Sequence, residues 1–241
     1  MDGDRNLAEK LLFEIKISAR IVKYDMLFLY RQGFFAAYAI IVTAYIGFFS
    51  ILPNSVFRSA AVIFSVYSDT AIIGFFFSAG MVFLEKDQKL LSAWNVLPVS
   101  GYHYLAGKIL SFSLISILIS LVLYIPYLGI RMIPQFSLGV LISVLIYIPM
   151  GLLIAMKMNK LLNFLLISAL ILMPALFPLL DYFNIVHTGF GKLLPGYGIL
   201  MLLGSALPQG YSFFNPVHLI SPCICAGLFI AARGRLKGVQ T

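Results

Sequence analysis

Charge is scarce in this sequence. Only 11% of its 241 residues are Asp, Glu, Lys or Arg, against roughly 25% in average soluble domains, and that deficit excludes a water-soluble globule. Histidine is rarer still: His103, His187 and His218 fall in different loops or ends, and there is no HExxH or other close His and carboxylate set, so neither a metal nor any other cofactor is expected. The 2 cysteines, Cys223 and Cys225, stand two apart in an expected helix. Their side chains would diverge by about 200°, which argues against a bridge or a metal pair. There is no GxSxG elbow, and Ser113, Ser116 and Ser120 recur at helical spacing, as on a small polar packing face. The segment GYHYLAGK at 101–108 resembles a phosphate loop but has five residues between its glycines and ends before Ile109, without the hydroxyl residue. No nucleotide site is expected there. Nor do residues 1–33, charged and amphipathic, read as a cleavable signal peptide. Together these absences point away from an enzyme.

Apolar residues fill the space: 61% of the chain is hydrophobic and the mean hydropathy is +0.98. They gather in runs near the ~20 residues that a helix needs to cross ~30 Å of hydrocarbon, at 34–52, 61–84, 109–130, 136–156, 161–182 and 216–232. The expected fold is all-α, a polytopic membrane protein of six transmembrane helices spanning 34–232. Residues 183–215 hold a shorter apolar stretch, Leu200 to Leu207, between Pro195 and Pro208. Eight residues cannot cross, so a re-entrant segment before the last helix is expected.

The net charge of +8 is placed unevenly. Arg5, Lys10, Lys16, Arg20, Lys23, Arg31, Lys86, Lys89, Lys108, Lys157, Lys160 and the tail 233–241, with Arg233, Arg235 and Lys237, share one side of such a topology. Arg58, Arg131 and Lys192 stand on the other. The richer side should be cytoplasmic, which puts both termini in the cytoplasm of a multi-pass cell-membrane protein. Membrane lipid is then the partner of the basic residues, and nucleic acid is not.

Residues 1–33 carry Leu11, Ile15, Ile21, Leu27 and Tyr30 among charges, as an amphipathic helix lying on the inner membrane face does. The cytoplasmic segment 85–108, EKDQKLLSAWNVLPVSGYHYLAGK, has charges at its start, an apolar stretch with Leu90, Leu91, Trp94 and Leu97, a break at Pro98 and Lys108 at its end. Large apolar side chains in a loop are expected to be buried against a partner or neighbouring helices. Within the second run, Asp69 lies about 12 Å along the helix at 1.5 Å per residue. A carboxylate there should face a partner helix or a water-filled path, unless the run starts later and leaves Asp69 at the rim.

An acidic and a basic residue closing the second run, Leu-x-x-x-Pro-Val-Ser in the loop, Gly107-Lys108 opening the third, and Lys23-Tyr24-Asp25 with Arg31-Gln32-Gly33 before the first resemble the type-2 permeases of ATP-binding-cassette transporters, most closely the branch exporting fluoroquinolones and other drugs. The resemblance implies a permease subunit that pairs with a second permease copy or paralogue and docks a separate ATPase subunit. It makes residues 85–108 the coupling loop, with Glu85, Lys86, Asp87, Leu90, Leu91, Trp94, Leu97, Pro98 and Lys108 as its coupling residues. Lys23, Asp25 and Arg31 would belong to the helix that braces it. Gln88-Lys89-Leu90 departs from the Gly-Thr common at that point of the family. Two other readings stay open: a non-transporting membrane scaffold, and an intramembrane lipid-modifying enzyme.

Overall fold

The computed structural model describes residues 18–53, 55–90, 101–130, 132–183, 185, 194–206 and 227, and every element among them is helical. Helix α1 covers residues 18–31. Then come α2 (Phe34–Ile51), α3 (Ser55–Ile72), α4 (Ser78–Asp87), α5 (Gly101–Leu128), α6 (Ile133–Lys157), α7 (Leu161–Tyr182) and α8 (Pro195–Leu203). A π-helical turn at Ile73–Phe77 joins α3 to α4 without a break. Five of these segments are long and apolar enough to cross a membrane: Phe34–Ile51, Val56–Asp87, His103–Leu128, Ile133–Lys157 and Leu161–Tyr182. The sixth, expected at 216–232, lies outside the described residues.

Two boundaries differ from expectation. The second span begins at Ser55 rather than 61, and α5 begins at Gly101 rather than 109. The polar residues of 101–108 suggest a loop by composition, yet α5 runs through them because Lys108 and its neighbours are buried by tertiary contact. The phosphate-loop look-alike is therefore helix.

Gly33, at φ +77°, turns the chain from α1 into α2, and its amide bonds Tyr30 O at 3.1 Å. Only glycine takes that backbone without strain. At the far end of α2, Arg58 donates to Leu52 O at 2.6 Å, placing a cation at a helix C-terminus. Helix α6 is the hub, packed by α3, the π turn, α4, α5, α7 and α8. Small residues allow that closeness: a Cβ on Gly151 would meet Phe75 O at 2.3 Å, and one on Gly74 would meet Tyr147 Cβ at 2.8 Å.

Hydroxyl groups stitch the same helices. Thr70 bonds Ser143 at 2.8 Å, Tyr67 bonds Tyr147 at 3.1 Å, and Tyr67 donates to Ala175 O at 2.7 Å. Ser113, Ser116 and Ser120 are all buried, as a packing face requires. Helix α8 is too short to cross and sits among α3, α6 and α7, with Ile199, Leu200 and Leu203 fully enclosed. This short helix starts at Pro195, earlier than the apolar stretch suggests, and proline at its first position is preset for a helix start.

Candidate functional site

Within 85–108, residues 85–87 end α4 and residues 101–108 open α5, and these two helix ends meet in one buried ionic cluster. Met81 and Glu85 stand four apart on α4; Tyr104, Lys108 and Ser111 share one face of α5. Asp25 comes from α1. Lys108 has no solvent exposure and spends its three N–H donors on Asp25 Oδ1 at 2.9 Å, Glu85 Oε1 at 2.6 Å and Met81 Sδ at 3.0 Å. Tyr104 donates to Glu85 Oε2 at 2.6 Å, and the Lys108 ammonium stands 5.2 Å from the Tyr104 ring centroid. Ser111 Oγ donates to Gly107 O at 2.8 Å and stands 3.4 Å from Asp25 Oδ2.

Burying an ammonium costs several kcal/mol unless charge and hydrogen bonds surround it. Here they do. Burial pushes the Asp25 carboxyl above its usual range, and the charge and hydrogen bond of Lys108 pull against that shift. Close approach of α1 to α5 depends on Gly107, where a Cβ would lie 2.3 Å from Ile21 Cγ2. Ile21, Asp25 and Leu29 form the inward stripe of α1. Leu27 and Tyr30, expected on the apolar membrane face, are exposed with Tyr24 on the outer side of the helix.

Lys86, next to Glu85, points elsewhere. Its ammonium donates to Ala155 O at 2.8 Å, Met156 O at 3.3 Å and Met158 O at 2.9 Å, carbonyls at the C-terminus of α6. A cation at that end also meets the negative end of the helix dipole. One end of the loop is thereby tied to α1, α5 and α6 by two adjacent side chains. After Asp87 the chain turns at Lys89, whose φ of 56° is left-handed.

Of the residues singled out from the sequence, Asp25, Glu85 and Lys108 come together in the buried cluster, while Lys23, Arg31, Asp87 and Leu90 are exposed. Leu91, Trp94, Leu97 and Pro98 lie outside the described residues. Tyr104, Ser111 and Met81 were not singled out; their spacing from Lys108 and Glu85 was the available signal. Asp69 sits apart, thirteen residues into the Val56–Asp87 span, about 20 Å along it at 1.5 Å per residue. A cavity of about 170 Å³ lies between α3 and α7, lined by Tyr67, Ser68, Ala71, Ile72, Leu172, Ala175 and Leu176, smaller than the ~300–1,000 Å³ of drug-sized sites.

Among known sequences, a family model described as the fluoroquinolones export permease protein family matches residues 16–235, which takes in α1, every span and the loop. The chain belongs to that family. Similar proteins include two named fluoroquinolones export permease protein from Mycobacterium tuberculosis, strains CDC 1551 and H37Rv. Each is 30% identical over 198 residues, covering 76% of this chain and 80% of the relative. No solved structure matches the chain. As a member of the export permease family with five apolar helices long enough to span, the protein is a multi-pass membrane permease. The matched region begins just before α1, so the helix carrying Asp25 belongs to the permease unit.

Proposed function

We propose that this export permease is the membrane subunit of an ATP-binding-cassette exporter for a hydrophobic or amphipathic drug, with both termini cytoplasmic and a second permease copy or paralogue completing the path. The relatives named for fluoroquinolone export support a drug-like cargo. ATP would be hydrolysed by a partner ATPase seated on residues 85–108, and the chain itself would carry no catalytic group.

The observation that carries the reading is the buried cluster around Lys108. A loop that merely connects two spans needs no ammonium held by two carboxylates at its roots, but a loop that receives force does. Push on 85–108, and the load passes through Glu85 and Lys108 to α1 and α5 and through Lys86 to α6. These contacts are discrete, so the inner ends of the helices move as a body.

Docking is tested by replacing Trp94 and Leu97 with Asp, which puts charge into the apolar stretch of the loop. With the P-loop ATPase encoded beside the permease, the wild-type chain should co-purify. The double variant should insert normally and lose the ATPase. Co-purification at wild-type yield would overturn the loop assignment.

A further inference from the structure

Asp69 is 7% exposed and lies thirteen residues into the helix Val56–Asp87. Its Oδ1 accepts a hydrogen bond from Tyr45 at 3.0 Å, across from α2. Its Oδ2 is buried and has no hydrogen-bond partner among the described residues. No lysine, arginine or histidine there pairs with it; the ion pairs described belong to Lys108. A buried carboxylate with one oxygen unpaired costs free energy unless a cation is brought to it.

The wall facing it is aromatic. Tyr38 and Tyr45 stand seven apart on one face of α2, Tyr45 stacks on Phe49 at 5.8 Å, and Tyr38 meets Phe77 edge-on at 5.4 Å. Phenol and phenyl faces attract organic cations, most strongly where water is excluded. Helix α2 is the least covered of the spans, and Tyr45 is half-buried. The Tyr45–Asp69 contact therefore lies on the least covered of these helices.

We infer that Asp69, held by Tyr45, is a binding site for a lipophilic ammonium, with the free Oδ2 accepting its N–H and the Tyr45 ring standing beside its charge. The inference names the cargo class only if the exporter reading holds; binding itself does not depend on the ATPase. A neutral amphiphile of equal apolar surface would lack the charge-assisted bond.

The probe is dansylcadaverine, a fluorescent primary ammonium, against its N-acetyl derivative, which is neutral. Both are titrated into the full-length chain in phosphatidylcholine nanodiscs, with empty nanodiscs as background. The wild-type chain should bind the amine about tenfold more tightly than the amide, the scale of one charge-assisted hydrogen bond. Equal binding of the two by the wild-type chain overturns the proposal with no variant needed. Asp69→Asn should abolish the difference and Asp69→Glu should restore most of it; a full preference kept by Asp69→Asn overturns it too. Because these titrations use the permease alone, a lost preference and a lost ATPase partner are separate results.

Discussion

Lys108, Asp25 and Glu85 together carry one net negative charge when all are ionised, and Tyr104 supplies a neutral donor to the carboxylate that needs it. The arrangement is sensitive to the loss of one member and tolerant to the loss of all. Lys108→Met removes the only ammonium and leaves two carboxylates facing each other at low dielectric. It should destabilise the permease by about 3–5 kcal/mol. Adding Asp25→Asn and Glu85→Gln to that variant removes the stranded charges and should recover most of the loss, since well-packed neutral replacements of buried pairs are often near neutral. Thermal unfolding in detergent, followed by intrinsic fluorescence, reads both. Equal loss in the single and triple variants would show that shape, not charge, carries the site.

At the scale of elements, the unusual piece is the π turn at Ile73–Phe77, set between Asp69 and Glu85 on one continuous span. One surplus residue there adjusts the rotation between the two acids, so that Asp69 meets α2 while Glu85 meets α5. Ser78 holds the turn, donating to Gly74 O and standing 3.2 Å from Phe75 O, and Gly151 of α6 packs on Phe75 O. Deleting Phe76 would convert the turn to ordinary α-helix and keep the two halves in nearly the same rotation, because the wider turn exists to absorb that surplus residue, whereas one alanine inserted after Gly80, outside the turn, would rotate one half by about 100° against the other. The Tyr45–Asp69 bond and the Glu85–Lys108 pair could not then both form in the insertion variant. The insertion should cost about 3 kcal/mol more than the deletion, the scale of a broken buried pair, measured by the same unfolding transitions. Such a turn is invisible in sequence: IGFFF reads as any apolar helix. The spans themselves were legible, because lipid demands long apolar runs and permits little else. The start of α5 was not, since Tyr104 and Lys108 look like loop until α1 and α4 cover them. Asp25, Glu85 and Lys108 could be picked individually by resemblance. That they are one cluster, with Lys86 turned away to α6, depends on how three helices are placed, and periodicity does not encode that.

At the scale of the whole molecule, the central question is whether the cluster only stabilises the permease or also transmits force. The two roles separate when the loop is kept and its roots are loosened. In the triple variant Lys108→Met, Asp25→Asn, Glu85→Gln residues 86–107 of the proposed docking loop are unchanged in sequence, and Lys86 still holds the end of α6. The variant should therefore still bind the ATPase subunit in detergent. Without ion pairs, however, the roots of the loop are joined to α1 only by weak apolar contact, and motion of the loop is dissipated before it reaches the spans. Reconstituted with the ATPase in proteoliposomes, the complex should hydrolyse ATP at close to its basal rate while ATP-driven uptake of dansylcadaverine into inside-out vesicles falls by about tenfold or more, as for a coupling free energy of 1–3 kcal/mol. Trp94→Asp with Leu97→Asp gives the contrasting pattern, in which the ATPase itself is lost. Uptake at the wild-type rate in the triple variant, with the ATPase bound, would reduce the cluster to a structural pin and move the transmitting contact to Lys86 and α6.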